Sequence, residues 1–182
     1  MQYLTLQPEQ ILVPGEYELG NPETLEHYFE LFEKGRAESI VPVIVAHNSL
    51  GDHQNEYFGV SENNRVLIGD YWNRLKDYVD KGAEYFLLDG NHRAVASVLT
   101  HQPISSLRLQ TESDIREILD LAEKNKSFRW PHGFNSLRKI VNDFEYACME
   151  HLSKMMTVKE RVERLSTSIH LPTYMKERYR KL

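Results

Sequence analysis

The stretch Tyr85-Phe86-Leu87-Leu88-Asp89-Gly90-Asn91-His92-Arg93-Ala94-Val95-Ala96 decides how this chain folds. Its first four residues form a continuous apolar run, which is typical of a buried central strand. The run breaks at Asp89-Gly90, and the residues that follow suit a helix. A buried strand that passes into a helix through a single glycine indicates a layered domain in which helices cover a sheet.

Strand and helix signals continue on both sides of this unit. Short apolar segments at residues 3–4, 11–13, 41–45 and 104–109 predict further strands, with weaker candidates at residues 57–60 and 66–68. Asn21 followed by Pro22 predicts the start of a helix, because asparagine caps helices and proline suits the first helical position. A further helix is predicted over residues 70–79, with Asp70 as its cap.

The C-terminal part has a helical pattern. Thr157 and Glu160 match a capping box, and a last short helix is predicted near Pro172. We therefore predict a mixed α/β core over residues 1–110, with a small mixed sheet and flanking helices. A C-terminal helical extension over residues 111–182 is expected to pack on this core. The apolar residues that recur at helical spacing are Leu137, Ile140, Val141, Phe144, Cys148 and Leu152.

Composition is that of an ordinary globular protein, with 182 residues, 41% of them hydrophobic and 27% charged. The single cysteine, Cys148, excludes an intrachain disulfide. The sequence shows neither a signal-peptide pattern nor an apolar run of about 18 residues. We therefore expect a cytoplasmic protein with no membrane span.

The charge is unevenly distributed along the chain. Residues 152–182 hold eight Lys/Arg and three Glu, a net charge of +5, whereas the whole chain carries −5. A basic tail of this kind can contact a nucleic acid such as DNA, an anionic membrane surface or an acidic partner. The simpler interpretation is a solvated helix face, which the interleaved glutamates favour.

We predict that the turn between the strand and the helix binds an anion. Gly90 can take a positive φ and lets a ligand approach the backbone closely. The first turn of the helix presents free N–H groups and a partial positive charge. Arg93 adds a planar cationic fork and His92 a further donor. Asp89, at the carboxyl end of the strand, can hold a metal ion.

Each of these side chains also has a structural interpretation. Asp89 could cap the helix or form a local ion pair with Arg93, and Arg93 could serve only in that salt bridge. His92 shares a helical stripe with Val95 and Leu99, so it could be a packed core histidine. The residues alone therefore predict a phosphate-bearing ligand without assigning a reaction.

The string over residues 89–96 resembles the signature of the ParB/sulfiredoxin superfamily. The segment over residues 38–45 and the strand after Pro103 resemble that superfamily as well. The resemblance covers about residues 23–110 and includes a long insertion over residues 47–81. It implies a nucleotide, either ATP, ADP or CTP, with Mg²⁺ bridging its phosphates. The residues that it assigns to the nucleotide are Gly90, Asn91, His92 and Arg93.

The free serine kinase branch is the most similar in motif, since Asp89, His92 and Arg93 match its string and Asn91 replaces a histidine. This similarity implies an ATP- or ADP-dependent kinase that acts on the hydroxyl of a small molecule. Asp89 and His92 would then be catalytic, with Asp89 holding the metal. Glu38 is the first candidate for the base, and Glu30 and Glu33 are further candidates.

Other branches imply other functions. Asn91 stands where sulfiredoxin has its nucleophilic cysteine, so sulfiredoxin activity is not implied. The alternative to a kinase is a nucleotide-binding, DNA-associated or regulatory module, partition-like or nuclease-like, that uses the basic tail. His47 and His53 are weak candidates for a metal site, and Glu112 and Asp114 for neighbours of the nucleotide. The sequence does not predict an oligomeric state.

Overall fold

The computed structural model describes residues 1–14, 21–51, 62–124 and 135–181. The predicted strand at residues 57–60 and the predicted loop ligand His53 lie outside these ranges.

Six strands within the described residues form one mixed sheet. They are β1 (Gln2–Leu6), β2 (Ile11–Val13), β3 (Val43–His47), β4 (Tyr85–Asp89), β5 (Ile104–Leu109) and β6 (Met156–Thr157), in the spatial order β1-β5-β3-β4-β2-β6. The pairs β3–β5 and β2–β4 are parallel, and the pairs β1–β5, β3–β4 and β2–β6 are antiparallel. The predicted mixed α/β class is confirmed.

Helices flank this sheet on both faces. They are α1 (Pro22–Glu33), α2 (Glu62–Val79), α3 (Asn91–Leu99), α4 (Glu112–Lys124), α5 (Leu137–Glu150), α6 (Val158–Thr167) and α7 (Thr173–Arg180). Short 3₁₀ helices lie at Pro8–Gln10, Ala37–Ser39, Asn48–Gly51 and Leu152–Lys154. In the described parts of the chain, no helix has both the length and the apolar character needed to cross a membrane.

Two helix starts predicted from local signals are confirmed. The Asn21 side chain accepts a hydrogen bond from the Thr24 N–H at 3.2 Å and so caps α1. At α6, the Thr157 N–H donates to a Glu160 carboxylate oxygen at 2.8 Å, and the Glu160 N–H donates to the Thr157 hydroxyl at 3.2 Å. Each capping interaction joins residues within four positions of one another, so it depends on local sequence and not on the packing of the rest of the chain.

Three local predictions are wrong. Residues 66–68 belong to α2 and not to a strand, and Asp70 lies inside that helix instead of capping it. The apolar residues 66–68 suit a strand or a helix, because a run of three is too short to show the spacing of apolar residues that distinguishes the two. Residues 156–157 form the strand β6, although the C-terminal part reads as helical. A strand of two residues is too short to leave a pattern in the sequence.

The sheet separates two hydrophobic cores. One core contains residues of α2, α4 and α5, and the other contains residues of α1, α3, α6 and α7. The C-terminal helices therefore divide between the two faces. The helix α3 lies in the second core, where every residue from Arg93 to Leu99 is buried, and it packs against α1 and α6.

Candidate functional site

The turn between β4 and α3 requires glycine. Gly90 has φ of +101° and ψ of 31°, which is the left-handed region. A Cβ atom at this position would lie 2.9 Å from Val43 Cγ1 and 3.0 Å from Arg93 Nε. Both the backbone conformation and the lack of space therefore exclude a side chain at residue 90.

The first turn of α3 has unpaired backbone donors. The Gly90 carbonyl accepts the first helical hydrogen bond, from the Ala94 N–H at 2.9 Å. Gly90 has no side chain to cap the helix, and no acceptor within the described residues pairs with the N–H groups of Asn91, His92 and Arg93. These groups carry the positive end of the helix dipole, so this end of α3 favours an anion.

Arg93 is committed to the fold. Its Nη1 donates to the carbonyl oxygens of Val41 at 2.9 Å and of Pro42 at 2.8 Å, and its Nη2 forms an ion pair with Asp89. The side chain is 9% exposed. The ion pair between Asp89 and Arg93, which the sequence offered as a structural alternative, is therefore present. The predicted contact of Arg93 with a phosphate stays a prediction, and much of its hydrogen-bonding capacity is already used.

The same pairing bears on the predicted metal ligand. Asp89 directs one carboxylate oxygen at Arg93, so the guanidinium competes with any cation for it. Nowhere in the described ranges do three or more His, Cys, Asp or Glu side chains form a metal-binding group. The predicted role of Asp89 as a metal ligand stays a prediction, and its free carboxylate oxygen would hold Mg²⁺ together with water or ligand oxygens.

Arg161 of α6 differs from Arg93. It is 6% exposed, and its Nη1 donates to the Asn91 Oδ1 at 3.2 Å. In the parts of the chain that the structure describes, no carboxylate pairs with it. Burial lowers the pKa of Arg161 to about 10. A buried cation is costly unless an anion compensates its charge, so Arg161 is a candidate for contact with an anion.

His92 lies in the same first turn. Its Nε2 is buried and has no partner in the described structure. Burial is the largest cause that lowers the pKa of His92 below its ordinary value, and the Arg161 guanidinium lowers it further. A hydrogen bond to the backbone of Asn21 acts in the opposite direction. One ring nitrogen of His92 is therefore buried with its hydrogen-bonding capacity unused by the described residues.

The candidate anion site thus comprises Asn91, His92, Arg161 and the N–H groups of the first turn of α3. Arg161 was missed as a site residue because its charge groups it with the solvated basic tail. A signal was present in the sequence: Arg161 follows Val158 by three residues and precedes Leu165 by four, so it lies on the apolar face of its helix.

The candidate bases have different environments. Glu30 pairs with Lys34 at 2.6 Å and Glu33 with Arg178 at 2.7 Å. Glu38 lies exposed on the 3₁₀ helix Ala37–Ser39 and has no ion pair with the described residues. Of the three glutamates, Glu38 is therefore the one whose carboxylate is least engaged.

The other acidic candidates have structural partners. Asp114 accepts a hydrogen bond from the N-terminal amine of Met1 at 2.7 Å and another from the Gln110 N–H, also at 2.7 Å. Glu112 accepts hydrogen bonds from the N–H groups of Leu137 and Arg138 and so caps α5. These bonds account for both carboxylates without a ligand.

Several cations of the basic tail are also engaged. Lys159 pairs with Glu9 at 2.9 Å and Arg178 with Glu33, and Arg161 is buried. The tail is folded as β6, α6 and α7 and does not form a loose basic arm. The expected contact with DNA through this segment stays a prediction.

No family model, curated protein or solved structure matches this chain. The resemblance to the ParB/sulfiredoxin superfamily therefore stays a prediction from the residues that carry it.

Proposed function

We propose that this protein binds the phosphate groups of a nucleotide at the first turn of α3. The observation that carries the proposal is the buried Arg161 guanidinium, whose partner among the described residues is the neutral side chain of Asn91. A phosphate would supply the missing negative charge and several acceptor oxygens. The free N–H groups of α3 would donate to the same oxygens.

The roles of the two side chains beside Arg161 follow from their chemistry. The amide of Asn91 orients the guanidinium through its oxygen and keeps its own N–H donors for the ligand. His92 is neutral near pH 7 in the absence of a ligand, because its pKa lies below the ordinary value. An adjacent phosphate would raise that pKa and favour the doubly protonated ring, whose Nε2–H can donate.

The superfamily resemblance extends the proposal to ATP, ADP or CTP as the nucleotide and to phosphoryl transfer to a hydroxyl as the reaction. Catalysis of this kind depends on positioning and on charge neutralisation. Mg²⁺ bound to the nucleotide would supply further neutralisation. Glu38, the least engaged glutamate, is the proposed acceptor of the hydroxyl proton.

Calorimetry tests the binding step. ATP, ADP, CTP and GTP are titrated with and without Mg²⁺ into the wild type, Arg161→Met and Arg164→Met. Arg164 is the matched control because it lies exposed on the same helix. Loss of a charge-assisted phosphate contact weakens binding by roughly 1.5–3 kcal/mol, about tenfold or more. We expect this loss for Arg161→Met and a change below about twofold for Arg164→Met, whose exposed charge is screened.

Two results would overturn the proposal. One is that none of the four nucleotides binds the wild type. The other is that Arg161→Met binds as tightly as Arg164→Met does.

The reaction is tested separately by following ADP formation from ATP and Mg²⁺ with a panel of hydroxyl compounds. Glu38→Gln should abolish turnover while leaving nucleotide binding intact. The control is Glu123→Gln, which changes an exposed glutamate of α4. Intact binding without turnover of any compound by the wild type would count against a kinase and leave the binding proposal standing.

A further inference from the structure

A cavity of about 160 Å³ lies beside α3. Its innermost lining residues are Val43 and Ile104 of the sheet and Ser97 of α3, which are 2%, 1% and 1% exposed. Phe32 and Ile40 add apolar walls. None of Asn91, His92 and Arg161 lines this cavity, and Arg93 is the residue that it shares with the first turn of α3.

The rim of the cavity has a different character. Thr5, Gln102 and Ser105 line it and are exposed. Their hydroxyl and amide groups can both donate and accept hydrogen bonds. The cavity therefore has a mainly apolar interior, in which Ser97 and Arg93 are the polar residues, and a polar, uncharged rim.

Charge selects among the possible ligands. Arg93 is the charged residue in the described lining, and its charge is compensated by Asp89 and two carbonyl oxygens. No lining carboxylate within the described residues is available to balance a cation, and an anion would compete with Asp89 for the same guanidinium. An uncharged ligand avoids both costs.

We propose that this cavity binds a small uncharged molecule with an apolar body and one hydroxyl or amide group. The cavity volume indicates the size of the ligand, since a cavity of about 150 Å³ accommodates a benzene ring. The apolar body lies against Val43 and Ile104, and the polar group lies at the rim beside Gln102. This proposal does not depend on nucleotide binding.

Three probes of one shape and different charge test the proposal: benzyl alcohol, benzoate and benzylammonium. Each is titrated into the ¹⁵N-labelled protein, and amide shifts at Ser97 and Ser105 report binding. Benzyl alcohol should bind with a Kd of about 1–10 mM, as its few heavy atoms allow. Benzoate and benzylammonium should each bind at least about fivefold more weakly, because burial of an unpaired charge is unfavourable.

Blocking variants locate the site. Ala37 lines the cavity and is exposed, so Ala37→Phe should close it and weaken benzyl alcohol binding at least about tenfold by filling the space that the ring needs. The control, Ser153→Phe, changes an exposed small residue of another 3₁₀ helix and should leave binding unchanged. If Ala37→Phe is unfolded by circular dichroism, Ser105→Phe on the opposite rim takes its place.

The proposal is overturned if the wild type shows no shift at Ser97 or Ser105 with about 20 mM benzyl alcohol, a concentration above the affinity that such a ligand should reach. It is also overturned if benzoate binds more tightly than the alcohol, because Arg93 would then act as an anion receptor. Undiminished binding in folded Ala37→Phe and Ser105→Phe would place the ligand elsewhere and overturn it as well.

Discussion

Arg93 and Arg161 are both buried beside the first turn of α3, but their surroundings differ. Arg93 donates to two carbonyl oxygens and pairs with Asp89, whereas Arg161 donates to one neutral amide oxygen. The first arrangement compensates the charge and ties the segment that leads into β3 to α3. The second leaves the charge uncompensated among the described residues. Burial alone therefore does not distinguish an arginine with a compensated charge from one without, but the set of acceptors does.

The largest effect expected from this comparison is on folding. Arg93→Met removes three interactions and leaves Asp89 without its partner, so we expect the free energy of unfolding to fall by about 3–5 kcal/mol. Urea unfolding measures this loss, provided that the m value is the same in the variant and the wild type. A loss below about 1 kcal/mol would mean that Arg93 is not the structural member of the pair.

Gly90→Ala should cause the next largest loss in the free energy of unfolding. The new Cβ would meet Val43 Cγ1 at 2.9 Å, and alanine is strained at this φ, so we expect a loss of about 2–4 kcal/mol. Gly82→Ala is the control, because Gly82 has φ of +96° but nothing lies within 4 Å of the position that its new methyl group would take. Equal losses in the two variants would show that the contact with Val43 adds nothing to the backbone strain.

Arg161→Met should change stability by less than about 1 kcal/mol or increase it, since an apolar side chain of similar length removes a buried charge. The measurement is the same urea transition, without ligand. A loss of about 3 kcal/mol or more would show that Arg161 already has a compensating partner in the fold, and the contrast with Arg93 would disappear.

The smallest expected effect is the pH dependence that His92 contributes. Its pKa in the folded protein lies below the ordinary value of 6.5, so folding favours the neutral ring. The stability associated with neutral His92 is therefore present above about pH 6.5 and is lost as the pH falls through the folded pKa. The difference in unfolding free energy between the wild type and His92→Gln, measured from pH 8 to pH 5, should show this decline.

Sulfate binding, measured over the same range from pH 8 to pH 5, complements that experiment, because sulfate keeps its charge throughout. If the anion lies beside His92 and Arg161, it raises the pKa of the ring and binds more tightly as the pH falls. The wild type should show this trend and His92→Gln should not. Equal pH dependence in both proteins would remove His92 from the site.

The elements that could be predicted from sequence are those with short-range causes. Gly90 and the apolar run before it define β4, the turn and α3, and the Asn21 and Thr157 caps define two helix starts. The segment at residues 66–68 was misassigned, since three apolar residues suit a strand as well as the helix that contains them. The strand β6 was not predicted because it has no local sequence pattern. It is a strand because it pairs with β2.

The candidate site was predicted only in part, for the same reason. The sequence places Gly90, Asn91, His92 and Arg93 in one turn, but it cannot show that Arg93 is held by the carbonyls of Val41 and Pro42. Nor does it show that Arg161 meets Asn91, because that contact depends on how α6 packs against α3. Long-range packing, and not residue type, decides which arginine is free to bind.

The contact between Arg161 and Asn91 joins residues 70 positions apart in the chain. During synthesis, a ribosome-bound chain that has emerged as far as α5 already carries the complete β4–α3 turn but lacks the guanidinium beside it. If Arg161 binds a phosphate as proposed, that contact forms only after α6 has been translated and has docked. A ligand present at that moment would favour the docked helix over the undocked one, and so would act late in biogenesis as a folding aid.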